Sequence, residues 1–188
     1  LTPFAVLGGF ATLLLFMLHG ANFLLLRLHE DTELHTRART AALRWGALAT
    51  VAILGFVVMG YVVEGLFESF GVLPRVFPLA AAATLVSIWF ALVTGRDKLA
   101  FTMSGLEIVF STVTIFIALY TRGVVLPSTL DPAFDLTLEN TASQQYTLIL
   151  MTWVGGIFLP LIIGYQIYNY YVFRERIRPD EGALSHGY

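Results

Sequence analysis

Five apolar stretches, each close to the length of a bilayer crossing, constrain this chain more than any other feature. They run over 4–26, 45–67, 79–94, 100–120 and 146–173. A helix rising 1.5 Å per residue needs about 20 apolar residues to cross roughly 30 Å of hydrocarbon. The runs are continuously apolar rather than alternating, which argues against the roughly 10-residue strands of a membrane barrel. His19 lies in the first run, Glu64 near the end of the second and Glu107 inside the fourth; the third and fifth are uncharged. The spacing predicts an all-α membrane protein of about five transmembrane helices. Gly95-Arg96-Asp97-Lys98 separates the third and fourth runs. One unbroken helix over 79–120 would reach ~63 Å, twice the bilayer, so a helical hairpin is expected.

Composition removes the competing classes. Charged residues make up 13% of the 188, about half the roughly 25% of soluble domains. Aromatic residues at 14% exclude a disordered chain. Eleven Lys and Arg against thirteen Asp and Glu leave a net charge of −2, without the basic face that nucleic acid requires. Cysteine is absent, which excludes disulfides, thiolate metal sites and a cysteine nucleophile. The chain opens Leu1-Thr2-Pro3, with no basic segment before the first apolar run. It does not resemble a signal peptide, and it reads as a mature or truncated piece.

Charge also predicts orientation. The connection over 27–44 holds Arg27, Arg37, Arg39 and Arg44; the hairpin turn holds Arg96 and Lys98; the tail holds Arg174, Arg176 and Arg178. With five spans, these nine lie on one side and only Arg75 and Arg122 on the other. Basic residues mark the cytoplasmic side, so Leu1 is expected outside and Tyr188 inside. The outer connection over 121–145 holds Asp131, Asp135, Glu139, Pro127 and Pro132. It exceeds the usual 2–8 residues between bundle helices, and reads either as an ordered surface loop or as a lid or docking segment.

Polar groups inside the spans are the candidates for chemistry. His19 and Asn22, three apart, share a face of the first helix. His19 reads as an interhelical hydrogen-bonding group, a proton or quinone-site group, or a haem ligand. A b-type haem usually takes two strong axial ligands, and His29, His35 and His186 fall in the loop and tail. Glu107 is the deepest acid, and a carboxylate there must be paired, wet or protonated. It reads as a structural hydrogen-bonding group or as part of a proton path, with His19 or a group on another subunit as its partner. Glu64 and Glu68 share a face near the outer interface. They are either paired acid/base carboxylates or groups satisfied by water or Arg75. Pro160, after Gly155 and Gly156, predicts a kink and a close helix approach in the last span. Tyr165, Tyr168, Tyr170 and Tyr171, with Gln166 and Asn169, form an interfacial belt. The chain carries no Walker A loop, nucleophile elbow, zincin motif or dinucleotide fingerprint.

The wording of the sequence goes further. Leu1-Thr2-Pro3-Phe4 leading to His19-Gly20-Ala21-Asn22-Phe23-Leu24 resembles the start of the second half of subunit II of cytochrome bd quinol oxidases. So does Leu126-Pro127-Ser128-Thr129 followed by Leu136-Thr137-Leu138-Glu139-Asn140-Thr141-Ala142-Ser143, where the family has a proline-serine turn and a strand-like Leu-Thr segment. The closing stretch is similar too: Tyr146-Thr147-Leu148 through Met151-Thr152, Ile157-Phe158-Leu159-Pro160, Gly164-Tyr165-Gln166 and Tyr171-Val172-Phe173-Arg174. Glu139-Asn140 stands where the family commonly has Trp-Asp.

The resemblance covers essentially all of 1–188 and implies a four-helix bundle with a peripheral helix. It implies the haem-free C-terminal half of subunit II in an oxygen-reducing quinol oxidase of the bacterial cytoplasmic membrane. Haem b and haem d would belong to a partner subunit I, and quinol would be the substrate of the complex. Small accessory single-span subunits are further implied partners. No catalytic, cofactor or metal residue is assigned to this chain; Glu107 and His19 are its candidates for a proton path, and an oxygen path is a further possibility. Half of a secondary transporter and a diheme-type membrane cytochrome are the other classes that the same composition allows.

Overall fold

The computed structural model describes residues 2–62 and 75–175. Their long helices are α1 (Pro3–Arg27), α2 (Glu33–Val62), α3 (Val76–Thr94), α4 (Asp97–Arg122) and α6 (Gln145–Val172). A short strand pair, β1 (Val124–Leu126) and β2 (Leu136–Thr137), and the one-turn α5 (Leu138–Thr141) lie between α4 and α6. All five long helices are long and apolar enough to cross a membrane. The protein is therefore an all-α multi-pass membrane protein. Glu64 and Glu68, with the end of the second apolar run, lie outside the described residues, as do Arg176, Arg178 and His186.

One expectation fails at the second helix. The basic segment over 27–44 is not a connection: α2 begins at Glu33, and only residues 28–32 join it to α1. Thr32 Oγ1 accepts from the His35 amide at 3.2 Å, Thr32 O accepts from Thr36 N, and Glu33 stands in the positively polarised first turn. The next turns, rich in Ala and Arg, propagate a helix well in water. Hydropathy marks the slab of hydrocarbon, not the ends of the helix that crosses it. His35, expected in a loop, thus stands on the first turn of α2.

The chain divides into two compact units, which meet in sequence between Arg122 and Gly123. In the first, α1 packs along α2, α3 packs along α4, and α1 joins the two hairpins by packing on α4. Alanine dominates the contacts: Ala11, Ala21, Ala38, Ala42, Ala49, Ala52, Ala91 and Ala100 are buried with Leu14, Leu15, Leu18, Leu25, Ile88 and Leu92. Small residues let helices approach closely, which is how spans associate where lipid supplies no hydrophobic drive. At Gly8, an added Cβ would sit 2.7 Å from Phe56 Cε2. The α3–α4 hairpin turns at Gly95, whose φ of 74° caps α3 in the left-handed region. Asp97 then opens α4.

The second unit is Gly123–Glu175. The Leu-Thr pair that the resemblance marks as strand-like is β2, antiparallel to β1. Asp135 Oδ1 accepts from Ser128 N at 2.7 Å. Thr137 and Asn140 form a reciprocal cap, and Asn140 Nδ2 donates to Asp135 O at 2.8 Å. The last bond needs an amide, so Asn140 does here what an aspartate could not. The connection is thus an ordered segment with its own hydrogen bonds. The helix α6 is continuous through Pro160 and has no buried residue.

Candidate functional site

The buried residues of α4 are Asp97, Ala100, Ser104, Glu107, Thr114 and Ala118. Steps of three, four and seven keep them on one face of a 3.6-residue helix. Four of these six carry polar side chains, and each of three meets a partner from another helix.

At the end of the bundle that carries the 28–32 connection, His35 Nε2 lies 3.0 Å from Asp97 Oδ2, with both side chains buried. Arg39, one turn along α2, stands 3.9 Å from Asp97 Oδ1 and also donates to the Leu92 carbonyl near the C-terminus of α3. These groups tie α2 to the α3–α4 turn. The sequence carried a signal for them, His35 and Arg39 at i and i+4, but it lay in a segment read as a loop.

One turn deeper, Asn22 is fully buried and its Nδ2 donates to the Ala100 carbonyl at 3.4 Å. Its Oδ1 has no hydrogen-bond partner among the described residues. His19 follows on the same face of α1. Its Nδ1 lies 2.8 Å from Ser104 Oγ, and Ser104 donates to the Phe101 carbonyl at 2.9 Å. With the serine proton on that carbonyl, His19 Nδ1 is the donor and Nε2 the nitrogen left to accept. The ring stacks on Phe101 at 4.7 Å, and its Cε1 lies 3.6 Å from where a Cβ would stand at Gly105.

Glu107, 1% exposed, is bonded to Thr84 on α3: Thr84 Oγ1 and Glu107 Oε2 are 2.5 Å apart. Thr84 also faces the Ala81 carbonyl at 2.8 Å. His19 is therefore not the partner of Glu107. His19 meets Ser104 and Glu107 meets Thr84 where a direct pair was expected. Neither hydroxyl stands out in the sequence, because serine and threonine are common in spans and bond most often to their own helix. A further interhelical bond, Trp89 Nε1 to Thr50 Oγ1 at 3.0 Å, joins α2 and α3 away from this face. Among the described residues no three His, Asp or Glu side chains converge as a metal site would need. In α6, a Cβ added at Gly155, Gly156 or Gly164 meets nothing within 4 Å.

Comparison with known proteins adds what geometry alone does not. Residues 1–173 match the family model described as cytochrome bd terminal oxidase subunit II. The chain is 34% identical over 183 residues to the cytochrome bd ubiquinol oxidase subunit 2 of Bacillus subtilis, covering 95% of this chain and 52% of that protein. It is 26% identical over 211 residues to the cytochrome bd-I ubiquinol oxidase subunit 2 of Escherichia coli, covering 96% of this chain and 54% of that one. A probable cytochrome oxidase subunit 2 of Haemophilus influenzae is 28% identical over 202 residues, covering 90% and 51%. The chain thus spans about half the length of the curated relatives it matches.

Proposed function

This chain belongs to the cytochrome bd terminal oxidase subunit II family, and from that premise we propose that it serves as a haem-free membrane part of a bd-type quinol oxidase. In this reading it packs against a haem-bearing subunit I in the bacterial cytoplasmic membrane. The complex oxidises quinol and reduces oxygen to water, and small single-span subunits are further candidate partners. The observation that carries the reading is the match over 1–173 to a subunit family of that oxidase.

The absence of haem from this chain is part of the proposal, and what supports it is that the described histidines other than His19 stand against carboxylates, leaving no evident second axial ligand for the Nε2 of His19. Its Nδ1 is engaged by Ser104, its face by Phe101 and its Cε1 edge by the α4 backbone at Gly105. Of the other histidines described, His35 is held by Asp97, and His29 lies 3.3 Å from Asp31 in the 28–32 connection. These residues do not fit a haem set between helices by two axial ligands. The chain's contribution is then structural, with Glu107 and His19 as the groups able to handle protons. In the same reading Leu1 lies outside and the C-terminus in the cytoplasm, as the basic bias suggests by the positive-inside rule.

The test is to tag the subunit at its C-terminus and record reduced-minus-oxidised spectra with and without its partner. Haem bands are expected only when the partner is present; bands from the subunit alone would return it to the cytochrome class. For orientation, a cysteine at Ser128 should react with an impermeant thiol reagent from outside, and one at Ser185 only after lysis. The reverse pattern would overturn the assignment of sides.

A further inference from the structure

Apart from Arg27, every buried polar or charged side chain among the described residues lies on the buried face of α4 or hydrogen-bonds to it. Those that bond between helices are, in order from Asp97, His35–Asp97, Asn22 on Ala100, Ser104 with the half-buried His19, and Glu107–Thr84. Helix geometry spreads Asp97 to Glu107 over ~15 Å, half the hydrocarbon depth. Groups on the same helix are three or four residues apart, about 5–6 Å between Cβ atoms, which one bridging water can span.

Two details set this line apart from ordinary interhelical bonding. Asn22 is fully buried, and its amide orientation is fixed, because turning it would set two carbonyl oxygens against each other at Ala100. That leaves Oδ1 as a buried acceptor with no partner among the described residues. Buried groups of this kind are characteristically bonded by ordered water. At the far end, the Thr84 hydroxyl has one proton and faces two oxygens, Ala81 O and Glu107 Oε2. Both contacts become hydrogen bonds together only when the Glu107 carboxyl supplies the second proton.

We propose that the buried polar face of α4, lined by α1 along its middle, is a wet proton path that enters at His35–Asp97, crosses a water held on Asn22 Oδ1 and the His19–Ser104 pair, and loads Glu107. The proposal rests on the subunit reading above and deepens it by naming the route. A proton taken up at the Asp97 end enters the water on Asn22, and a proton of that water passes to His19 Nε2. The imidazolium gives its Nδ1 proton to Ser104 Oγ, and the former hydroxyl proton moves through one further water to Glu107. Glu107 then donates to Thr84, whose own proton stays on Ala81 O. No heavy-atom bond changes and no electron moves, so water is the only co-reactant.

The experiment uses the complete subunit, purified with its partner and transferred from H2O to D2O while infrared spectra are recorded. Subtracting the spectrum of Glu107→Gln isolates the carboxyl C=O stretch of Glu107. In the wild type that band should move to lower wavenumber as exchange proceeds. Asn22→Leu should slow the movement by about tenfold or more at unchanged haem content, because each passage then waits on an opening of the bundle. Ser104→Ala carries the same expectation and replaces Asn22→Leu if that variant does not fold. Trp89→Phe, which removes a half-buried interhelical bond off the line, should exchange as the wild type does. The proposal is overturned if Glu107→Gln removes no carboxyl band, or if the band shifts equally fast in wild type, Asn22→Leu and Ser104→Ala. Loss of the haem-bearing partner from the wild-type preparation would strike the subunit reading alone, since exchange is read without turnover.

Discussion

The α1–α4 seam and α6 are made of similar material, spans of Leu, Ile, Val, Phe and small residues, yet the chain treats them in opposite ways. The seam buries Leu14, Leu15, Leu18, Leu25 and nearly all the buried polarity of its unit. In α6, 28 residues long, no side chain is buried. Hydropathy cannot separate the two, because lipid and protein interior are equally apolar. Polar side chains within a span and small residues at i and i+4 mark a helix that packs within its own bundle. In α6, the corresponding features, Gly155, Gly156 and Gln166, meet no such neighbours. A span can carry packing residues and leave them for something outside its own unit.

The largest effect should come from breaking the seam at its charged end. Asp97→Ala leaves His35 and Arg39 facing an apolar methyl group in a buried site. Removing one partner of a buried pair typically costs about 3–5 kcal/mol. The midpoint of unfolding in a denaturing-detergent titration should fall by a corresponding amount. Asp97→Asn keeps one acceptor for His35 and should lose less. Equal losses for the two variants would show that charge, not hydrogen bonding, holds the turn.

The next effect sharpens the contrast between helices. Leu18 is 0% exposed and Leu159 is 59% exposed. Leu18→Ala opens a cavity that rigid neighbours close only partly, at a cost of about 2–3 kcal/mol. Leu159→Ala opens none and should change stability by less than about 0.5 kcal/mol. A matched loss at both positions, measured on the subunit without its partner, would mean that α6 is packed as the seam is.

How much of this was legible beforehand follows from what each signal measures. Continuous apolar runs matched the five helices long and apolar enough to cross a membrane, because crossing length is set by the bilayer. The start of α2 was misplaced by twelve residues, because Glu33 to Arg44 is helical but not apolar. Asn22 and His19 were placed correctly on one face by their spacing. Their acceptors on α4 were not readable, because the register between two helices depends on packing that no single-helix pattern encodes. Glu107 stood out as a buried acid, whereas Thr84 is one of many threonines in the chain. The hydrogen-bonded turn over 124–141 was visible only as an unusually long connection. Its order comes from Asp135 and Asn140 bonding across several residues.

The smallest in-chain effect is expected at Gly156, and it decides what α6 is for. Within Gly123–Glu175 a side chain added there meets nothing within 4 Å, so Gly156→Leu should cost that unit no packing. It should raise helix stability slightly, since glycine inside a helix costs about 1 kcal/mol relative to better formers. In the assembled oxidase the expectation reverses. If a partner helix lies against the glycine pair, a leucine beside Pro160 forces the two apart, with overpacking typically costing about 1–3 kcal/mol. The partner should then be lost from the tagged subunit on washing, seen as a fall in haem per subunit, while the subunit's own unfolding midpoint holds or rises. Gly164→Leu, two turns further on, tests whether the contact runs along the helix or is confined to the kink-prone turn. Unchanged haem content in both variants would remove the glycine face of α6 from the interface. The contrast with the seam would then reduce to burial alone.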